Sequence, residues 1–372
     1  MSPAIYLSDI LFLAIVIPFI FRAKLKIKKT FNYRYILVAL FILINIAFSK
    51  SPELSFLRWI KLSELGLLVW FISSYRFTNF KRQVVLPLAV SAAAISFIGI
   101  LQFIKGSTIG GVLYFLGERS FNLISPGISL IDIGGREFLR AYSTFSHPNS
   151  LAGYLLVVGI LIICFGKGFR LLIVPVMVCF ILAFSKGAFI ALFIVIFLFI
   201  AEGLKIAERI KKSMTNSIIN LSLLLIVLFS LLMFIWTEGS FLENIRISER
   251  IDLMKVSKEL ILTSPLVGVG LNNFIPKIPD YIVLLKTGWL LQPVHNIFVL
   301  FSVEGGVIGL GLFLYLIRKS LNNALKNSRI CLVLCLFVIV ITGLFDHYWL
   351  TLQQNILLMA LVFGLTFRTE FK

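Results

Sequence analysis

The chain has 372 residues, 59% of them hydrophobic and only 14% charged, with a net charge of +18 and a mean hydropathy of +1.01. Soluble domains carry about 25% charged residues, so a water-soluble globule of this composition is excluded. In so apolar a chain the positive excess is no nucleic-acid signature; it belongs to loop lysines and arginines that set membrane topology.

Backbone groups in lipid must be paired internally, so spans are helices or closed barrels. Apolar runs of about 17–22 residues without period-two alternation select helices. In chain order the candidate spans are residues 5–21, 35–48, 56–75, 83–104, 148–165, 171–184, 187–201, 218–236, 294–317, 330–345 and 352–367. The fold class is therefore an all-α integral membrane protein, a polytopic bundle of about 11–12 transmembrane helices. It is expected to form a single transmembrane domain over residues 1–372. No basic residue precedes the first apolar run and several follow it. That order is the reverse of a cleavable signal peptide, so the run is expected to be a retained helix.

Alternate loops hold 21 and 14 of the Lys and Arg residues. The poorer set is concentrated in loops 105–147 and 237–293, and in the second of these six bases meet six acids. By the positive-inside rule the N-terminus and both long loops face outward, where the loops would cap an active site. Loop 105–147 is rich in Gly and Ser and is expected to be irregular. Loop 237–293 contains a loosely amphipathic helix, residues 247–262, expected to lie in the interface with its bases toward headgroups. The four cysteines, Cys164, Cys179, Cys331 and Cys335, all fall inside apolar runs. They are expected to act as small apolar side chains rather than as a disulfide or metal site.

The candidates for chemistry gather on the outward side. His295 closes the longer loop at the mouth of the span that follows, and His147 and His347 also sit at outward helix ends. A histidine there can act as a general base near neutral pH, or it can anchor a helix end at the interface. Both readings stand on the residues alone. Arg246 and Arg250 are spaced i, i+4 and could face one anion, while Arg140 and Lys186 lie at outward span ends. Cations so placed can hold a lipid-linked phosphate, arginine bidentately; plain headgroup contact is the alternative. Arg58, Lys61 and Glu64 follow one face of the third span, where an internal ion pair and a substrate contact are both open. Glu304 lies roughly 13 Å deeper than His295 along its helix and is expected to be a buried structural acid. The outward loops show no P-loop, GxGxxG, acidic pair or zinc spacing. No metal and no cofactor is therefore implied, and a lipid diphosphate can leave without one if cations neutralise it.

Four segments in order carry a resemblance. Arg140-Ala-Tyr-Ser-Thr-Phe-Ser-His-Pro-Asn149, Phe184-Ser-Lys-Gly-Ala188, Arg250 through Ser264-Pro-Leu-Val-Gly-Val-Gly-Leu-Asn-Asn-Phe274, and His295-Asn-Ile-Phe with Glu304-Gly-Gly-Val-Ile-Gly309 resemble the motifs of the bacterial O-antigen ligase/polymerase family. The resemblance implies a GT-C-like membrane glycosyltransferase that needs no metal. It would move a glycan from undecaprenyl diphosphate to an acceptor hydroxyl outside the cytoplasmic membrane, with lipid A–core as the ligase acceptor. A repeat-unit polymerase of the same family is the alternative. Carried over by position, His295 activates the acceptor hydroxyl. Arg250, Lys186 and Arg140 bind the donor diphosphate. His147, Asn149, Arg246, Asn296, Arg58 and Lys61 are cavity candidates. Lys186 stands where the family usually has arginine, keeping the charge but losing the fork. Implied partners are the lipid-linked donor, the glycan or lipid A–core acceptor, membrane lipids and other polysaccharide-assembly proteins, and no nucleic acid.

The main rival class is a lipid or polysaccharide transporter. No internal repeat is visible, and transporters usually place ionisable groups on broken helices near the bilayer midplane. Here the cations gather at the rim. A non-catalytic assembly scaffold is the third reading.

Overall fold

The computed structural model describes residues 6–22, 33–203, 245–285 and 291–368. The expected span at 218–236 lies outside them, as do residues 237–244 and 286–290 of the longer loop.

In chain order the helices are α1 (Leu7–Arg22), α2 (Tyr33–Ala47), α3 (Pro52–Ser74), α4 (Leu86–Lys105), the single turn α5 (Val112–Phe115), α6 (Pro148–Phe165), α7 (Ile173–Leu182) and α8 (Lys186–Gly203). They continue as α9 (Ile245–Thr263), the turn α10 (Phe274–Lys277), α11 (Ile297–Lys326), α12 (Ile330–Gly343), the turn α13 (Tyr348–Thr351) and α14 (Gln353–Phe367). Strands β1 (Leu130–Ile133) and β2 (Arg136–Leu139) form one antiparallel hairpin. This is an all-α membrane protein apart from that hairpin. By length and composition, Lys81–Lys105, Pro148–Phe165 and Ile297–Lys326 are long and apolar enough to cross a membrane, and six shorter apolar helices accompany them.

Helix α3 forms where the third span was expected, yet it is not among the apolar helices. The reason is its charge. Lys61 is paired with Asp9 of α1 and lies 3.7 Å from Glu64. The internal ion pair left open by the sequence is thus present. Its partners are largely shielded, as charges inside a span must be.

The chain divides into two compact units, one of Met1–Ser74, Ser217–Ser320 and Phe363–Leu365, the other of Tyr75–Asn216, Leu321–Val362 and Thr366–Lys372. The first is organised by a break in α11. Gly306 has φ 63° and ψ −169°, which interrupts the helical ladder. Four of the backbone groups at the break are taken by the Pro265–Gly270 loop. Val269 and Gly270 donate to the carbonyls of Val303 and Glu304, and Val307 and Ile308 donate to those of Pro265 and Leu266, at 2.8–3.2 Å. A Cβ on Gly306 would stand 2.2 Å from the Leu266 carbonyl, and one on Gly268 2.5 Å from the Glu304 backbone. Only bare backbone fits this crossing. Asn45 locks it, its amide N–H groups donating to Val267 and Glu304 carbonyls at 2.7 and 2.9 Å. Irregular backbone at membrane depth is tolerated when every polar group is so paired.

In the second unit α6 is the centre. It is apolar on all sides and buried from Pro148 to Ile162, apart from Asn149 and Tyr154, and it packs on α4, α7, α8 and α12. Lipid gives no hydrophobic drive between helices, so close approach must supply the attraction. The contact of α4 with α7 shows it, because a Cβ on Gly99 would meet Cys179 Sγ at 2.7 Å.

One expectation is corrected here. Cys164 and Cys331 form a disulfide, because α6 and α12 pack together and bring these Cα atoms to 6.4 Å; Cys179 and Cys335 remain buried thiols. Loop 105–147 is irregular over most of its length, as expected, with one helical turn and a short hairpin set into it. The hairpin turns at Gly134-Gly135, Glu118 accepts Ile109 N–H, Gly110 N–H and Gln102 Nε2, each at 2.7 Å, and Gln102 in turn holds Ser143 by both backbone groups.

Candidate active site

In the second unit β2 leads straight into the first motif. Arg140 Nε donates to the Ala183 carbonyl at 2.8 Å, and Ala141 N–H donates to Leu182 at 3.0 Å. Both bonds grip the turn between α7 and α8. Phe184 in that turn has φ 46°, a left-handed conformation that bulky residues rarely adopt. Ser185 is buried and starts α8 through its carbonyl, which leaves Lys186 exposed as the first helical residue. Arg140 and Lys186 therefore belong to one local assembly, with the arginine bracing the turn that presents the lysine.

Arg140 also reaches forward. Its Nη2 donates to Asn149 Oδ1 at 2.8 Å, and Asn149 Nδ2 donates to Asp346 Oδ2 at 3.0 Å. Asp346 Oδ1 accepts His347 N–H at 2.8 Å. His347 Nδ1 lies 2.8 Å from Thr351 Oγ1. Asp346 was missed in the sequence. The signal was a polar pair, Asp346-His347, in the short gap between two apolar runs.

His147 is the N-cap of α6, with extended backbone and Nδ1 accepting Asn149 N–H at 3.1 Å. An accepting Nδ1 places the ring proton on Nε2, which then donates to Ser129 Oγ at 3.2 Å. Pro148 fills the first helical position, where no N–H is needed. This imidazole is a structural cap.

In the first unit His295 lies one residue outside the cap of α11. Asn296 is the cap, its Oδ1 accepting Phe298 and Val299 N–H at 2.9 and 3.1 Å. His295 is partly buried between Val294 and Asn296, both almost fully buried. Nine residues on, Glu304 sits at the break in α11. Its carboxylate accepts backbone N–H from Asn272 and, at 3.3 Å, from Phe274, and it interacts electrostatically with Arg58. Glu304 is a structural acid, as expected, and Arg58 is placed beside the crossing. Lys61 belongs to the Asp9–Glu64 cluster instead.

Helix α9 appears where the loosely amphipathic segment was read, but its buried face differs. Asp252, Leu253, Val256, Ser257 and Leu260 are the most buried, with Lys255 Nζ 3.7 Å from Asp252. Arg250 is exposed on this helix. Arg246 lies one turn earlier on it, with its side chain outside the described residues.

These helices define an integral-membrane protein, with polar groups at helix mouths in each unit and, in the first unit, at a broken helix. Residues 149–314 match the family described as O-antigen ligase. That stretch, a little under half of the chain, is thus similar to the O-antigen ligase family, and the helices are those of an all-α membrane protein. Asn149, Lys186, Arg246, Arg250, His295 and Asn296 fall within the match; Arg58, Lys61, Arg140, His147 and Asp346 fall outside it. No curated protein and no solved structure matches the chain.

Proposed function

We propose that the chain transfers a glycan from undecaprenyl diphosphate to an acceptor hydroxyl at the periplasmic face of the inner membrane, in the manner of an O-antigen ligase acting on lipid A–core. The acceptor oxygen bonds to the donor's anomeric carbon as that carbon's bond to the diphosphate oxygen breaks. The electron pair leaves on undecaprenyl diphosphate, and the hydroxyl proton passes to the His295 imidazole. Arg250, Lys186 and Arg140 hold the diphosphate and stabilise the charge that develops on it, with no call for a metal. Arg246 and Arg58 add to the positive field.

The observation that carries this reading is the placement of His295 at the mouth of α11, where Asn296 performs the cap and the imidazole is not needed for it. Among helix-end histidines that placement suits a proton acceptor better than a strut. The test uses purified full-length protein in proteoliposomes with an undecaprenyl-diphosphate-linked oligosaccharide and lipid A–core as acceptor. Released undecaprenyl diphosphate with glycan on lipid A–core is the expected result. Elongated glycan still on the lipid would make the enzyme a polymerase, and translocation without release would make it a transporter.

A further inference from the structure

We propose that Asp346, which lies outside the four motif segments, is a positioning residue for the donor site, acting on Arg140 through Asn149; the proposal rests on the reading of Arg140 as a diphosphate ligand. Three separate stretches meet here. Arg140 directly follows β2, Asn149 lies in the first turn of α6, and Asp346 lies between α12 and α13, beyond the family match that ends at residue 314. Asp346 is 6% exposed, and both of its carboxylate oxygens accept hydrogen bonds, one from Asn149 Nδ2 and one from His347 N–H.

The relay has a direction. An amide side chain can present either its oxygen or its nitrogen to a neighbour, and the network decides which. An ionised carboxylate can only accept, so Asp346 draws the Asn149 NH2 toward itself. Asn149 Oδ1 must then face Arg140 Nη2, where it accepts at 2.8 Å. With Nε held by the Ala183 carbonyl, two bonds at different corners of a planar guanidinium fix its orientation, and with it the direction of the remaining N–H donors. Without a pure acceptor at 346 the Asn149 amide can turn over. Its NH2 would then oppose the arginine's own donors, and the guanidinium would lose one of its two fixed points.

This predicts a polarity swap. In Asp346→Asn the relay breaks. In the double variant Asp346→Asn with Asn149→Asp, Nδ2 of the new asparagine donates to one oxygen of the new aspartate, and the other oxygen accepts from Arg140. The experiment measures binding of undecaprenyl diphosphate to the full-length chain in phosphatidylcholine nanodiscs. Asp346→Asn is expected to raise Kd about tenfold, the effect of one lost charge-assisted bond. Asn149→Asp alone should also weaken binding, through two facing carboxylates. The double variant should return to within about threefold of wild type, a coupling that independent structural damage would not give. An unchanged Kd in Asp346→Asn, or no recovery in the swap, overturns the proposal. Arg140→Ala separates the two layers. If it binds undecaprenyl diphosphate as tightly as wild type, the donor reading of Arg140 fails. The relay is then judged on melting temperature, where recovery in the swap upholds it and absence of recovery overturns it.

Discussion

Two helices among the described residues begin with a histidine and an asparagine within two positions of each other, and they use the pair in opposite ways. At α6 the histidine is the cap: His147 Nδ1 takes the Asn149 N–H, and the asparagine side chain is turned to Arg140 and Asp346. At α11 the asparagine is the cap, and the histidine lies one position outside it. The helices differ as well, since α6 runs unbroken through the centre of its unit while α11 is interrupted at Gly306. A histidine at a helix mouth is thus not a functional sign in itself. What distinguishes the two is whether another residue caps the helix in place of the imidazole.

The largest effect should come from setting the two histidines against each other. His295→Ala is expected to lower glycan transfer about 10³-fold, within the range for a lost general base, while its melting temperature stays near wild type because Asn296 still caps α11. His147→Ala should do the reverse. It removes an N-cap, which costs about 1 kcal/mol, and should lower the melting temperature with only a modest loss of transfer. Measured transfer rates and melting curves that reversed this pattern would break the contrast drawn here.

The contrast between the two helices is sharpened by glycine. Gly306→Ala must place a side chain at positive φ and drive its Cβ into the Leu266 carbonyl. Backbone strain and overpacking together are expected to cost roughly 2–5 kcal/mol. Gly311 lies further along the same helix with nothing within 4 Å of its would-be Cβ, so Gly311→Ala should be near neutral. Thermal unfolding of the two variants in detergent measures the difference. Equal melting temperatures would mean that the break in α11 is not required.

How much of this was legible beforehand follows from range. The helices were readable because a membrane span is a local property of composition, and residues 148–165 emerged with the same bounds as α6. The Pro265–Gly270 motif was visible too, but only as a string of small residues. Its purpose, receiving the four backbone groups released at Gly306, depends on a partner some 40 residues away. The Cys164–Cys331 bond spans 167 residues and rests on the packing of α6 against α12, which no local pattern encodes. Asp346 escaped for the same reason, since its significance comes from Asn149, 197 residues earlier. His147 and His295 were indistinguishable in sequence because the cap is decided by which side chain turns back onto the helix.

The smallest effect lies at the solvent-facing edge of the first unit, where Lys50 Nζ sits 2.5 Å from Asp280 Oδ1 and Lys277 adds a second cation at 3.7 Å. The Lys50 hydrogen bond, chief among the causes, holds the Asp280 carboxyl below its ordinary range. A carboxyl whose folded-state pKa is depressed stabilises the fold above its unfolded value, near pH 4, and that contribution is lost as pH falls through the folded value. Both partners are more than a third exposed, at 38% and 42%, so screening limits the pair to about 0.2–1 kcal/mol. Lys50→Met should therefore lower the melting temperature slightly at pH 7 and low salt, with the gap to wild type closing below about pH 4 and in high salt. A melting-temperature gap between Lys50→Met and wild type that persisted unchanged to pH 3 would show that the lysine contributes by packing, not by charge.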